Sequence, residues 1–212
     1  MPDHHPQPAC LACDPQIAKQ LAADPALQAH WAALPRRQVR RGACLVQAGD
    51  ALNASWFVAQ GLARSVLRGA DGTERNAGFF AEGDWIGFGL PPEPGASLVA
   101  VEALEPLHLV ELPHAQLRHW QAVSPLAQQL LTSALHWSAD RQAARLAELL
   151  LLDAGQRYDA FRAQQPALAA RLPQLQLARY LGITDVALSR IRARRGLTRR
   201  RHSPVALNPD LG

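Results

Sequence analysis

The chain has 212 residues and a formal net charge of +4, with 48% hydrophobic and 19% charged residues. This length allows one large domain or two small ones. The composition is typical of a protein with a buried core, and it excludes a disordered or fibrous chain.

Positive charge is concentrated in the last fifth of the chain. Residues 171–212 contain nine arginines against two aspartates, a net charge of +7, which leaves −3 for residues 1–170. Lys19 is the only lysine. Because the planar guanidinium fork suits phosphates and guanine edges, we expect an anionic partner at this end, nucleic acid before acidic lipid. A solvated basic tail is the alternative, and the arginines at 199–201 alone would fit it.

The sequence shows neither a membrane-spanning run nor a secretory signal. Apolar runs such as 149–152 are far too short to cross a bilayer. The first 20 residues lack a basic segment followed by an apolar one. Three cysteines are too few for a disulfide framework. We expect a cytoplasmic protein without a membrane partner.

The N-terminal half divides into a flexible head, a helix and a glycine-rich region. Residues 1–13 are the predicted head, and Asp14 and Pro15 mark the start of a helix over about 14–34. Ten of the 14 glycines then lie between Gly42 and Gly95. They separate short apolar runs at 44–46, 56–59, 62–67, 77–80, 98–101 and 107–112. This pattern predicts an antiparallel β-roll of the jelly-roll type, with a hairpin turn at 69–72.

A long helix is predicted after the β region. A helix over about 113–123 comes first, and Ser124 and Pro125 then begin one that runs to about Asp153. One stripe on the long helix contains Leu131, Leu135, Ser138, Gln142, Leu146 and Leu149, and a second apolar set contains Leu126, Leu130, Ala134 and Trp137. One set is enough to cover the β-roll, so two sets predict dimerisation, through Leu131, Leu135, Leu146 and Leu149. A helix packed only within its own chain is the alternative.

The C-terminal region is predicted to form three short helices, over about 156–164, 173–181 and 184–195, after Gly155 ends the long helix. The last two have the pattern of a helix-turn-helix, with Gly182 in the turn and Thr184 capping the second helix. The residues expected to contact DNA are Thr184, Asp185, Val186, Ser189, Arg190, Arg192, Arg194 and Arg195. The predicted fold class is α+β: an N-terminal antiparallel β-roll, a long dimerisation helix and a C-terminal helix-turn-helix domain.

Five stretches carry a resemblance to a known family. They are Arg40-Arg41-Gly42…Ala48-Gly49-Asp50, Val58-Ala59-Gln60-Gly61-Leu62-Ala63-Arg64, Gly83-Asp84-Trp85-Ile86-Gly87, Arg145-Leu146-Ala147-Glu148-Leu149-Leu150 and Leu177-Ala178-Arg179-Tyr180-Leu181-Gly182-Ile183-Thr184…Leu188-Ser189-Arg190-Ile191-Arg192. In this order, residues 30–195 resemble the Crp/Fnr superfamily of bacterial transcription regulators. The resemblance implies an effector-sensing roll over 14–123, a dimerisation helix over 124–153 and a DNA-binding domain with a basic tail over 154–212. It also implies a homodimer on a near-palindromic operator, with double-stranded DNA, a second copy of the chain and RNA polymerase as partners.

Two departures from the family pattern change these expectations. Members that bind cyclic AMP use a Gly-Glu pair and an arginine that meets the phosphate, whereas here no arginine lies between Arg75 and Arg118. A buried phosphate without a cation is costly, so we expect no cyclic nucleotide to bind. At the start of the recognition helix, Asp185 and Val186 replace an Arg-Glu pair, which changes the expected operator.

The predicted effector pocket is apolar. Its candidate lining residues are Phe80, Trp85, Gly87, Phe88, Leu90, Leu130, Ala134 and Trp137. They would suit an apolar ligand or a haem, and packed core is the alternative.

The cysteines suggest a second kind of sensor. The oxygen-sensing branch of the family uses an N-terminal cysteine cluster plus one cysteine of the roll. Cys10, Cys13 and Cys44 total three cysteines, one short of that set, and Cys44 falls early in the roll where the family ligand falls late. His4 or His5 would have to supply the fourth ligand, and two idle thiols in a flexible head are the simpler interpretation. A haem with an axial histidine, such as His108, His114, His119 or His136, is another alternative. The sequence itself requires neither an iron–sulfur cluster nor a haem, so it does not determine whether the protein binds a cofactor.

No catalytic constellation is visible, and we expect no enzyme. The roll resembles that of the cupins, whose metal enzymes need a paired His-x-His, but residues 37–112 contain only His108. The predicted function is therefore a DNA-binding transcription regulator. The alternatives are a redox or haem sensor within that class and a ligand-binding module whose helix-turn-helix has lost DNA binding.

Overall fold

The protein is built around two antiparallel sheets of four strands each. The structure is a computed structural model that describes residues 24–87 and 96–197. The strands are β1 (Arg36–Val39), β2 (Cys44–Val46), β3 (Ala54–Gln60), β4 (Ala63–Arg68), β5 (Glu74–Phe80), β6 (Trp85–Ile86), β7 (Ala100–Ala103) and β8 (Leu107–Pro113). One sheet has the strand order β1-β8-β3-β6 and the other has the order β2-β7-β4-β5.

The apolar core of the roll lies between the two sheets. Trp56 and Val58 enter it from the first sheet, and Val46, Ala63 and Val101 enter it from the second. Side chains alternate between the two faces of a strand, so the intervening residues of β3 and β4 point out of the roll. Those outward residues, Phe57 and Arg64 among them, contact the helices.

The predicted β-roll is confirmed, and each of the six apolar runs overlaps a strand. The sequence missed β1, because Arg36, Arg37 and Gln38 are exposed and only Val39 enters the core. β1 lies at a sheet edge, where charged side chains protect unpaired backbone groups from other chains. The sequence also missed β6, which has only two residues.

Seven described helices surround the roll. They are α1 (Pro25–Ala32), α2 (His114–Val123), α3 (Pro125–Leu151), α4 (Ala154–Gln164), α5 (Pro166–Arg171), α6 (Gln174–Leu181) and α7 (Asp185–Arg194). Among the described helices, none combines the length and the apolar content that crossing a membrane requires.

An aromatic cluster fixes the start of the long helix α3. On the outer face of the first sheet, the ring of Trp31 from α1 lies 5.4 Å from that of Phe57 and 5.9 Å from that of Trp85. Trp120 of α2 and Ala127 of α3 belong to the same buried cluster. The helices α1 and α2 therefore cover this face of the roll and determine where α3 leaves it.

The long helix α3 ends earlier than the sequence predicted. The prediction that Gly155 ends this helix is wrong, because Gly155 lies in the first turn of α4. The Asp153 side chain accepts a hydrogen bond from the backbone N–H of Gln156, whose side chain bonds back to the Asp153 N–H. This capping box starts a new helix at Ala154, so α3 stops at Leu151. The six-residue helix α5 was not predicted.

The C-terminal helices pack directly on the roll. Leu62 and Phe79 of the roll share a buried cluster with Phe161 of α4, Leu177 of α6 and Leu188 of α7. Helix α6 lies beside β5, the edge strand of its sheet. The sequence predicted the roll and the C-terminal helices, and the structure adds that they share one buried apolar cluster.

A glycine makes the sharp connection between β3 and β4 possible. Gly61 has a φ of +104°, and a Cβ atom there would lie 2.2 Å from the backbone oxygen of Pro106. No L-residue fits that space without moving the backbone. Gly42 has a similar φ of +79°, but a Cβ atom there would meet nothing within 4 Å.

We predict that Gly61→Ala lowers the free energy of unfolding by about 3 kcal/mol or more, from strain plus overpacking. The control Gly42→Ala should cost only about 1–2 kcal/mol, because it adds positive-φ strain without a clash. Urea denaturation followed by tryptophan fluorescence measures both. Equal losses for the two variants would contradict the close approach at Gly61.

Candidate nucleic-acid interface

Helices α6 and α7 form a helix-turn-helix on a buried support. Leu177, Ala178 and Leu181 of α6 are buried, and Gly182 turns the chain with a φ of +75°. Thr184 caps α7, because its Oγ1 accepts a hydrogen bond from the N–H of Ala187 at 3.2 Å. Leu188, on the inner face of α7, is fully buried.

A polar contact fixes the angle between the two helices. The Gln174 side chain donates to the carbonyl of Asp185 at 3.2 Å, and its oxygen accepts from Arg192 at 3.2 Å. One side chain at the start of α6 therefore holds both the first turn and the last turn of α7.

The structure sorts the eight predicted DNA contacts into two groups. Five are exposed on α7: Asp185, Val186, Ser189, Arg190 and Arg194. The other three also make contacts within the module. Thr184 caps the helix, Arg192 is half-buried against Gln174, and Arg195 makes a bidentate pair with Asp159 of α4.

Arg171 ties the end of α5 to the roll. Its guanidinium donates to both oxygens of Glu82 at 2.6 and 2.8 Å and to both oxygens of Glu105 at 2.8 and 2.6 Å. The hydrogen bonds from Arg171 lower the pKa of Glu82 from 4.5 to about 2. Glu82 also accepts the N–H of Gly61 at 2.8 Å, so it joins the β3–β4 turn to α5.

The long helix α3 has a covered face and an uncovered face. On the covered face, Arg141 donates to the carbonyl of Phe79 at 3.0 Å, and the Arg145 guanidinium lies 3.8 Å from the centre of the Tyr180 ring. On the other face, Leu135, Leu146 and Leu149 are 38%, 57% and 46% exposed. Leu131, at the start of the same stripe, is half-buried. An exposed apolar stripe of this kind is typical of a surface that binds a partner.

The candidate pocket residues divide between two clusters. Phe80 packs against the core between the sheets, whereas Trp85 belongs to the aromatic cluster on the outer face of the first sheet. The carbonyl of Gly87 accepts a hydrogen bond from the buried Ser55 hydroxyl at 3.1 Å. Phe88 and Leu90 lie outside the described residues, as do the side chains of Leu130, Ala134 and Trp137. The pocket therefore stays a prediction.

Two arginines of the roll, Arg64 and Arg68, are bound to carboxylates. Arg64 lies 3.2 Å from Glu74 and 2.7 Å from Glu102, and Arg68 pairs with the same two residues. Arg64 projects from the outer face of β4, away from the core between the sheets. Neither cation is placed to meet a phosphate inside the roll, which supports the expectation that no cyclic nucleotide binds.

The candidate metal and haem ligands are not brought together in the described part of the chain. Cys44 is exposed, and its thiol donates to the carbonyl of Val46 at 3.0 Å, while Cys10 and Cys13 lie outside the described residues. No group of three or more metal-ligating side chains occurs within 24–87 and 96–197. His114 is buried with its Nε2 3.3 Å from Ser55, and desolvation lowers its pKa.

Sequence reasoning missed the polar contacts between α6 and the roll. Gln176 of α6 binds Arg64 and Asn76, and its separation from them is 112 and 100 residues in the chain. One signal was present: Arg64 is a charged residue inside the apolar run 62–67. A buried guanidinium needs several acceptors, and it therefore marks a place where another element must arrive.

The comparisons with known proteins agree with this architecture. A family model, the cyclic nucleotide-binding domain, matches residues 36–122. The structure of FixK2 from Bradyrhizobium japonicum is 16% identical with a TM-score of 0.71, and the match covers 81% of this chain and 90% of that chain. A protein of Eubacterium rectale, described as a transcriptional regulator of the Crp/Fnr family, is 12% identical with a TM-score of 0.62, covering 85% and 89%. The chain has the fold of the Crp/Fnr regulators.

A further Crp/Fnr-type match spans most of both chains. A CooA variant from Carboxydothermus hydrogenoformans is 14% identical with a TM-score of 0.69, and the match covers 88% of each chain. No curated protein matches the chain in sequence. The resemblance and fold class predicted from the sequence are confirmed.

We predict that the Glu82 carboxyl stays ionised at pH 3 and that Arg171→Gln raises its pKa towards 4.5. A carboxyl with a lower pKa in the folded state stabilises the fold above its unfolded pKa, and that contribution is lost as the pH falls towards about 2. Carboxyl NMR titration gives the pKa directly, with Arg194→Gln as the control that should leave it unchanged. A wild-type Glu82 that titrates near 4.5 would contradict the Arg171 contact.

Proposed function

We propose that this protein is a DNA-binding transcription regulator that acts in the cytoplasm as a homodimer on a near-palindromic operator. The observation that carries the proposal is the surface of α7. Asp185, Val186, Ser189 and Arg190 are exposed together, while Leu188 on the opposite side anchors the helix in the core. A helix that is anchored through its buried face and carries polar side chains on its exposed face suits the major groove of DNA.

The exposed side chains suggest how bases would be read. Arg190 lies in the second turn of α7, from which a guanidinium can donate two hydrogen bonds to O6 and N7 of guanine. The Asp185 carboxylate can accept from the amino group of cytosine, and the methyl groups of Val186 can contact that of thymine. Arg194 lies one turn further along, where a recognition helix leaves the groove, and it suits a phosphate.

The uncovered stripe of α3 supports the homodimer. Two copies of the helix would bury Leu135, Leu146 and Leu149 against each other, and the two α7 helices would then face DNA from one side. Two-fold symmetry in the protein matches an inverted repeat in the operator. RNA polymerase is a further partner that such a regulator would contact.

The effector in this proposal is not a cyclic nucleotide. The sequence supplies no arginine or lysine between Arg75 and Arg118, and Arg64 and Arg68 are bound to Glu74 and Glu102. A module that has lost DNA binding is the competing interpretation, and the free exposure of Arg190 favours the regulator.

We predict that Arg190→Ala weakens binding to the duplex beside the protein's own gene by about 1–3 kcal/mol per half-site and relaxes the preference at one base pair. The control Arg194→Ala should weaken binding equally on that duplex and on a scrambled one, and it should reduce the salt slope by about one per lost contact. Fluorescence anisotropy at several salt concentrations measures both variants. Equal losses on the two duplexes for Arg190→Ala would mean that Arg190 does not read a base.

We also predict that Leu135→Glu combined with Leu146→Glu raises the dimer dissociation constant at least about a hundredfold, because unpaired carboxylates would be buried. Gln129→Glu with Ala147→Glu is the matched control, since both positions are exposed and off the stripe. Sedimentation at about micromolar concentration should show a dimer for the wild type and the control and a monomer for the leucine variant. A monomeric wild type would refute the homodimer.

A further inference from the structure

The roll contains an arginine whose hydrogen bonds are complete only when α6 is in place. Arg64 on β4 is 6% exposed, and its guanidinium has five N–H groups. Nε donates to Glu102 at 3.2 Å, and Nη2 donates to Glu102 at 2.7 Å and to Glu74 at 3.2 Å. Nη1 donates to Asn76 at 3.2 Å and to Gln176 at 2.8 Å. Four of these five hydrogen bonds go to acceptors on the roll, and the fifth goes to α6.

Gln176 binds Arg64 and Asn76 through two acceptors, its side-chain oxygen and its backbone carbonyl. The oxygen accepts from Arg64 and also from the Asn76 amide at 3.0 Å, and the Gln176 carbonyl accepts from the same amide at 2.8 Å. Asn76 is buried, so its amide has few other partners within reach. Removing the Gln176 oxygen would leave a buried cationic N–H unmatched, which costs more than an ordinary hydrogen bond.

Other contacts place this triad at a junction of three elements. Arg179, one turn further along α6, pairs with Glu74 of β5. Arg141 of α3 donates to the carbonyl of Phe79 on the same strand, and Arg145 of α3 stacks on Tyr180 of α6. Apolar contacts alone would tolerate sliding, whereas the polar contacts, with the buried hydrogen bonds of Gln176 at their centre, fit one position of α6.

We propose that Gln176 is a positioning residue that sets the separation of the two half-sites the dimer accepts. The inference rests on the proposed function, because a half-site separation exists only when two copies of the chain bind one DNA duplex. Arg64 and Asn76 fix α6 along β5, and Gln174 fixes α7 on α6. The distance and angle between α7 and the dimer helix α3 are thereby set within each chain.

The expected discrimination follows from DNA geometry. One added base pair moves two half-sites apart by about 3.4 Å and rotates them by about 35°. A dimer with rigidly held recognition helices cannot follow this change, whereas one whose α6 can slide adapts to it. Loss of the Gln176 contact should therefore change the ratio of the affinities for two duplexes that differ in half-site separation. Each half-site would still be read by the same side chains of α7.

Three variants of the full chain test the proposal. Gln176→Leu removes the oxygen and keeps the side-chain size. Gln176→Glu keeps an acceptor for Arg64 and Asn76, and it should behave as the wild type does. Gln164→Leu makes the same chemical change at an exposed position at the end of α4. If Gln176→Leu fails to fold, Gln176→Ala leaves room for water at Arg64 and replaces it.

Binding is measured on duplexes whose two half-sites differ in separation by one base pair in each direction. For the wild type, Gln176→Glu and Gln164→Leu, we expect at least about a tenfold preference for one separation, and for Gln176→Leu less than about threefold. Affinity for a single half-site should be the same in all four. An unchanged preference in Gln176→Leu, or a lost preference in Gln176→Glu, overturns the proposal.

Hydrogen exchange on the DNA-free protein separates this proposal from the proposed function. The backbone amides of α6 should exchange about tenfold faster in Gln176→Leu than in the wild type or in Gln164→Leu. Unchanged exchange would show that Gln176 does not hold α6. A wild type that fails to bind any duplex would overturn the regulator, while the exchange result would still decide whether Gln176 positions the helix.

Discussion

The hydrogen bond from the Arg64 guanidinium to the Gln176 side chain joins the β-roll to the C-terminal helices. A buried cation is tolerated only when acceptors surround it, and the roll alone leaves one N–H of Arg64 without one. Helix α6 supplies the missing acceptor, and the shared cluster of Phe79, Leu177 and Leu188 closes around it. The position of the candidate DNA-binding helix therefore depends on a requirement that begins inside the β-roll.

The long helix α3 adds a second constraint, because its two faces have different chemistry. Arg141 and Arg145 bind the roll and α6 on one face, and leucines such as Leu146 and Leu150 remain exposed on the other, at 57% and 73%. Within one chain, α3 therefore binds its neighbours through Arg141 and Arg145 and leaves an apolar surface exposed to solvent. This division lets α3 hold the recognition module in place and still offer a stripe to a second copy.

Local patterns allowed much of the architecture to be predicted from the sequence. Glycine spacing predicts the roll, Ser124 and Pro125 mark the start of α3, and Thr184 caps α7, because turns and caps depend on a few neighbouring residues. The edge strand β1 was missed because its arginines hide the strand pattern, and Gly155 was misread because the capping box at Asp153 decides where α4 begins. The contacts of Arg192 with Gln174 and of Arg195 with Asp159 were not predicted, and the DNA contacts of these two arginines stay a prediction. Such long-range pairings follow from the fold and from no local rule.

The most direct test is selection of the full-length protein against a pool of random DNA duplexes. Recognition helices that are fixed on the roll, in a dimer joined through α3, should enrich inverted repeats whose half-sites have one constant separation. Enrichment of single half-sites, of repeats without a preferred separation, or of no sequence above the starting pool would contradict a rigid dimeric DNA reader.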